Sequence, residues 1–335
     1  MIRLVQLKHP DHGRRVALVE DNTLRLLATH RSVHALALAA IAAGQSLSKI
    51  VPTVLTAETL NYDSVYAGKS KWRLLPAFDH PAEAARCLVT GTGLTHKASV
   101  ATRAAMHAGP KKQATMTDSQ RMFQWGLAGG RPATGQIGVP PEWFYKGCGT
   151  ILRAHGEPLE VPPFADDGGE EPEVAGVYVI APDGKPFRVG LVTANEFSDH
   201  VMEKKNYLYL APSKLRTCAI GPELIVAPRF ANVAGTVQIE RNGQTIWSKK
   251  IHTGEHNMCH TVANLEHHHF KYPAHCRPGD AHIHFFGADA FSFGDGLALA
   301  NGDIMEVTWT GFGRPLRNPI RIDRTKPRFA KVRSL

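Results

Sequence analysis

The stretch Glu170-Glu171-Pro172-Glu173-Val174-Ala175-Gly176-Val177-Tyr178-Val179-Ile180 decides how this chain is read. An acidic opening runs straight into an apolar, β-branched strand. On a strand, residues i and i+2 point to the same face. Glu171 and Glu173 therefore aim two carboxylates at one spot, with buried strand behind them. Like charges that close repel unless something positive lies between them, and a divalent cation is the simplest such charge. The competing reading is a solvated acidic turn, because Asp166, Asp167 and Glu170 lie close by and most charge clusters belong to the surface.

Downstream, Pro182-Asp183-Gly184 is a turn signal, and Phe187 to Ala194 reads as a second strand folding back on the first. It ends in Asn195-Glu196-Phe197-Ser198-Asp199, so Glu196 returns towards Glu171 and Glu173. Three carboxylates with coordination positions left open suit a hard cation: Mg²⁺, with Mn²⁺ or Ca²⁺ equally compatible with oxygen ligands. Lys214 follows 18 residues after Glu196. Near such a site it would offset developing enolate charge or carry a proton; elsewhere it is an ordinary surface lysine.

Strands are expected at 174–180, 187–195, 218–226, 235–241, 244–251, 281–287 and 304–310, with Asn242-Gly243 as a hairpin turn. Upstream, residues 1–30 alternate in three short bursts and read as an antiparallel meander. Val33 to Ala43 reads as a helix stopped by Gly44, with a further strand near Trp72 to Leu75. Cys87 to Leu94 reads as a strand entering a Gly-containing turn. A helix is expected from Lys97 to His107, then a polar, Gly-rich and mobile excursion over 108–135 that includes a short helix near Gln120 to Leu127. The fold class is α+β: a smaller N-terminal α/β domain over 1–80 and a β-rich catalytic domain over 81–335, built on a mixed β-sheet or β-roll.

The chain has 335 residues and a formal net charge of +9. Its Lys and Arg are scattered. The one dense basic run, Arg314 to Arg333, contains a single aromatic residue and matches no nucleic-acid motif. The excess charge therefore reads as a surface that attracts small anionic substrates rather than nucleic acid. No stretch approaches about 20 consecutive apolar residues, so no membrane span is expected. The N-terminus lacks a signal-peptide pattern, and the five Cys are widely spaced with no C-x-x-C. Free thiols in the cytoplasm are the expectation.

Several motifs occur in an order that resembles the fumarylacetoacetate hydrolase superfamily. They are Phe144-Tyr145-Lys146, Gly156-Glu157-Pro158-Leu159, Glu171-x-Glu173, Asn195-Glu196-Phe197-Ser198, Lys214 before Ile220-Gly221-Pro222, and Asn301-Gly302-Asp303-Ile304. Asn264 to Phe270, His284-Phe285-Phe286-Gly287 and Gly313 to Pro319 resemble more narrowly its AraD1 branch, associated with sugar-acid breakdown. The resemblance covers about residues 85–320. It implies Glu171, Glu173 and Glu196 as metal ligands and Lys214 as the active-site lysine. It also implies substrate contacts from Lys146, from Glu203 (where relatives often carry Gln), and from the turn at Gly287-Ala288. A homodimer is the assembly it suggests.

Two departures narrow the chemistry. Hydrolase members pair a His with a Glu three residues on. Here His96 occupies the His position, but Ser99 stands where the Glu belongs. A hydroxyl cannot supply the carboxylate that orients the imidazole and supports its charged form. Chemistry without an activated water is therefore favoured. The turn Gly287-Ala288-Asp289 also lacks the hydroxyl of the family's Gly-Thr-Pro turn. Nine His fall between His252 and His284. His282 and His284 would share a strand face, a conceivable zinc pair, whereas the triple His267-His268-His269 reads as interfacial or near the surface. Gly254 to Met258 reads as a loop near the substrate, bringing Asn257 to it and making Glu255, alongside His96, a candidate proton carrier. With these residues, the resemblance implies a metal-dependent dehydratase of a 2-keto-3-deoxypentonate, giving 2-oxoglutarate semialdehyde in pentose catabolism. The alternative is a C–C hydrolase of a 2,4-diketo acid that releases pyruvate.

Overall fold

The protein is described from a computed structural model, which covers residues 1–107 and 116–335; the side chains of 102 and 104–107 fall outside that description. Each strand expected between 174 and 310 is present, with ends displaced by a few residues: Pro172–Ile180, Pro186–Asn195, Cys218–Ile225, Val233–Arg241, Gln244–Thr253, Ala281–Phe285 and Ile304–Trp309. The meander at the start (Arg3–His9, Gly13–Glu20, Thr23–Leu27), the helix Val33–Ala42 and the strand Arg73–Leu74 also form. Residues 108–115 of the expected excursion lie outside the described residues. Asp118–Gly129 is a helix, opened by a capping box between Thr117 and Gln120.

A 12-stranded mixed sheet forms the body. Its central order is Arg3–His9, Cys218–Ile225, Pro186–Asn195, Pro172–Ile180, Ala281–Phe285, Cys87–Gly93 and, at the edge, Glu142–Cys148. The N-terminal meander continues this sheet, because Arg3–His9 pairs antiparallel with Cys218–Ile225. Five strands make the second sheet, in the order Gln244–Thr253, Val233–Arg241, Ile304–Trp309, Leu316–Ile322 and Leu159–Val161.

Strand Pro172–Ile180 is buried at all nine positions, so its alternation divides two cores rather than core from solvent. Ala175, Val177 and Val179 pack with Val33, Leu36, Ala37 and Ala40 of the N-terminal helix. Val174 packs instead with Val237, Val307 and Trp309 of the second sheet and with Val262 and Leu265 of the helix Val262–Phe270. Glu171 and Glu173 share the parity of Ala175 and Val177. They therefore extend the helix-covered face past its apolar part.

Candidate metal centre

Strand register assembles the carboxylates. Pro172 pairs with Asn195 and Glu173 with Ala194, and the Glu196 amide donates to the Glu171 carbonyl at 2.9 Å. That backbone bond carries Glu196 to the end of the neighbouring strand, beside Glu171. One carboxylate oxygen from each of Glu171, Glu173 and Glu196 lies within 4.8 Å of the others, and all three residues are buried. The chain then detours through helix His200–Lys205 and the short helix Leu210–Lys214 before entering strand Cys218–Ile225. That detour lowers Lys214 onto the site. Its Nζ lies 2.5 Å from Glu171 Oε1, 3.0 Å from Glu196 Oε2 and 2.9 Å from Ser198 Oγ.

The charges around the three carboxylates are unequal. Burial pushes Glu171 up, but Lys214 and His200 overrule it and hold its carboxyl well below the usual range. Burial also opposes the charged form of His200. The Glu171 carboxylate, 3.0 Å from its Nε2, nonetheless raises its pKa, and the ring is stacked on Phe291 at 4.7 Å. Glu196 is pushed up by burial, against the pull of Lys146 and Lys214. Its Oε1 lies 3.2 Å from Lys146 Nζ but has no aligned hydrogen bond. Glu173 is pushed well above its ordinary range by burial and by the repulsion of Glu196 and Glu171. It accepts the Gly287 amide at 2.6 Å. The cluster thus holds an all-oxygen donor set, a buried carboxylate oxygen without an aligned hydrogen bond and a carboxylate whose charge its neighbours oppose. A hard divalent cation fits all three features.

Gly287 adopts φ +98°, and a Cβ there would lie 2.0 Å from Thr95 Oγ1. Only glycine lets this turn present its amide to Glu173 so close to Thr95. Thr95 Oγ1 donates to the Phe286 carbonyl at 2.7 Å and also contacts His96 Nδ1 at 2.8 Å. With the hydroxyl proton committed to the carbonyl, His96 Nδ1 must donate and Nε2 must accept, which it does from Thr253 Oγ1 at 3.1 Å. Burial pushes the His96 pKa down to about 3, so the ring is neutral at pH 7, with two hydroxyls and no carboxylate attached. Ser99 Oγ turns away to the His96 carbonyl.

Of the expected substrate contacts, Lys146 lies against the cluster, 3.2 Å from Glu196 Oε1. Lys146 donates to the Lys214 carbonyl at 3.0 Å, Ala288 is buried next to Gly287, and Asn257 Nδ2 donates to the Thr253 carbonyl at 2.8 Å. Glu255 does not join them. Its Oε1 accepts the Val262 amide at 2.8 Å at the start of helix Val262–Phe270. It also lines a separate cavity of about 660 Å³ that contains none of the three carboxylates. The charged groups converge at the three carboxylates, not in that apolar-walled cavity. Glu203 is engaged too: its Oε1 lies 2.6 Å from Arg103 Nε. Of the triple His, His268 and His269 are buried within the helix Val262–Phe270, whereas His267 is half-buried. His282 and His284 share a face as expected, but His282 Nδ1 bonds His269 and both nitrogens of His284 bond Thr90 and Thr92. Arg103 carried no individual signal in the sequence, because its partners Glu142 and Glu203 lie far along the chain.

No family model and no curated protein matches the sequence, but solved structures match its fold. A structure of 2-keto-3-deoxyarabinonate dehydratase superposes with a TM-score of 0.71 at 19% identity, covering 96% of this chain and 100% of that one. The same enzyme complexed with magnesium and 2,5-dioxopentanoate gives 0.69 at 19%, with the same coverage. The 2-hydroxyhepta-2,4-diene-1,7-dioate isomerase from Mycobacterium marinum gives 0.57 at 18%, covering 97% and 100%. The chain has the fumarylacetoacetate hydrolase fold. Among the described residues, no single helix is long and apolar enough to cross a membrane.

Proposed function

We propose that this chain is a divalent-metal-dependent hydro-lyase acting on a 2-keto-3-deoxypentonate such as 2-keto-3-deoxyarabinonate. The observation that carries the proposal is the buried group of Glu171, Glu173 and Glu196 bridged by Lys214, beside an imidazole with no carboxylate partner. Glu171, Glu173 and Glu196 would hold the cation. When bound, Mg²⁺ supplies Lewis acidity to the carboxylate and 2-oxo oxygens of a 2-oxo acid.

The remaining steps fall to the chain's own groups. Lys214, cationic between two glutamates, keeps the carboxylates together and offsets negative charge that develops on the substrate. His96, neutral with Nε2 as its accepting nitrogen, would carry the C3 proton once Thr253 yields that position, its basicity raised from the buried state when the negatively charged substrate lies beside it. The proton then leaves with the C4 hydroxyl as water. A further proton shift from C5 converts the resulting enone to 2,5-dioxopentanoate, so that substrate minus one water equals product. A hydrolase needs a carboxylate–imidazole pair to activate water, and His96 has two threonine hydroxyls instead. The same proposal includes a cytoplasmic homodimer in pentose catabolism. The test is turnover on a panel of 2-keto-3-deoxy acids with product identification. Pyruvate as product would favour hydrolysis of a diketo acid and defeat the dehydratase.

A further inference from the structure

The cavity that Glu255 lines arises where one strand outlasts its neighbour. Strand Cys218–Ile225 ends at Ile225, which pairs with Leu191. Strand Pro186–Asn195 runs on past that end, from Gly190 back to Pro186. Beyond Ile225 the chain turns at Ala227, whose φ of +49° is a left-handed conformation rarely adopted by a residue with a Cβ. Pro228, Arg229 and Phe230 then form one wall of the cleft. The helix Val33–Ala42 brings only Ala37, Ala40 and Ile41 to it. These side chains are too small to fill the gap, and about 660 Å³ stays open. Small-molecule sites occupy about 300–1,000 Å³.

The cleft is built before anything enters it. The Glu255 amide donates to the Phe230 carbonyl at 2.9 Å, and the His256 amide to the Ala231 carbonyl at 2.8 Å. The Phe230 ring packs on Phe286 at 5.7 Å. An occupant therefore spends little of its binding energy on ordering the wall. Three charged side chains line the cleft, and two are committed. Arg188 Nη1 lies 2.8 Å from Glu266 Oε1, and Glu255 Oε1 accepts the Val262 amide at 2.8 Å. Arg229 is exposed and has no ion-pair or side-chain hydrogen-bond partner among the described residues. One uncommitted guanidinium thus stands at the rim of an apolar chamber.

We propose that this cleft is a second ligand site, for an apolar monocarboxylate: a medium-length hydrocarbon body against Ile41, Val189 and Leu191, with its carboxylate on Arg229. Burial of the hydrocarbon supplies most of the affinity, and the guanidinium fork takes the single carboxylate. A dicarboxylate would leave its second charge unpaired among apolar walls, and a sugar acid would bury hydroxyls that find no partner there. The ligand class is therefore distinct from that of the metal centre. None of the three carboxylates lines the cleft, so its occupant needs neither a cation nor the proposed substrate.

The test is calorimetric titration of the full chain, in Mg²⁺ and in chelator, with decanoate and with 1-decanol as the uncharged body of equal length. Decanoate should bind once per chain with the same affinity in both buffers, and decanol about fivefold more weakly. Arg229→Gln should weaken decanoate about fivefold without changing decanol, and Arg229→Lys should keep most of the decanoate affinity. Arg229 is exposed, so both variants report on binding rather than on folding. Ile41→Glu should weaken both ligands, and Glu171→Gln should weaken neither. The proposal is overturned if decanoate shows no saturable binding, if Arg229→Gln binds it as tightly as wild type, or if Glu171→Gln abolishes binding and so places the ligand at the metal centre. It is equally overturned if decanoate fails to bind and sedimentation shows a dimer that Ile41→Glu dissociates, because a second copy of the chain then fills the cleft.

Discussion

Lys214→Met removes the cation that bridges Glu171 and Glu196 while keeping side-chain length. Lys214 is fully buried and touches both carboxylates, so solvent cannot screen what is left. Breaking a buried pair by removing one partner costs about 3–5 kcal/mol. The protein has an escape, because one glutamate can take up a proton. An ordinary glutamate titrates about 2.7 units below pH 7, so protonation there costs about 3.7 kcal/mol. The two routes agree on a loss of roughly 3–4 kcal/mol at pH 7 in metal-free buffer. The escape becomes cheaper as pH falls, and the loss shrinks to about 1 kcal/mol at pH 5. Urea unfolding of both proteins at the two pH values reads this directly, and Mg²⁺ should raise the variant's midpoint more than the wild type's. A penalty below about 1 kcal/mol at pH 7, or one equally large at pH 5, would refute the reasoning.

Three further outcomes are expected. Glu171→Ala should abolish both turnover and the thermal stabilisation by Mg²⁺, which for wild type amounts to about 2.7 kcal/mol at 100 times Kd; a variant still stabilised by Mg²⁺ would remove Glu171 from the ligand set. Gly287→Ala should lower stability by about 2–4 kcal/mol and turnover by more than tenfold, because it strains a left-handed backbone and drives a methyl into Thr95; near-native kinetics would show that the Gly287 amide is dispensable. His282 and His284, buried with pKa values pushed down by burial to about 3, stay neutral in the fold but charge in the unfolded chain below about pH 6.5. The unfolded state then binds more protons, so stability falls with pH, by about 2 kcal/mol for each histidine at pH 5; His284→Gln should flatten that slope, and an unchanged slope would contradict the assignment.

The legible parts of the sequence were those in which local pattern and tertiary burial agree. The run from Glu173 to Ile180 reads as strand because its β-branched residues are buried on both faces. Glu196 was found because a turn and a second apolar run fix the register. Helix Val262–Phe270 was missed because five of its nine residues are His, Glu or Asn, and the burial of His268 and His269 comes from contacts with Gly138 and His282. Glu255 looked free in sequence, yet the start of that same helix claims its carboxylate. The position of Glu203 could be inferred, but its occupation by Arg103 could not. An ion pair spanning 100 residues leaves no local trace.

The carboxylate cluster is proposed to drive loss of water without C–C cleavage. Incubation with 2-keto-3-deoxyarabinonate and Mg²⁺, followed by mass analysis of the product, tests it most directly. The expected product is an acid lighter by one water, with an aldehyde at C5, formed only when Mg²⁺ is present. Release of pyruvate, or turnover undiminished in chelator, would contradict it.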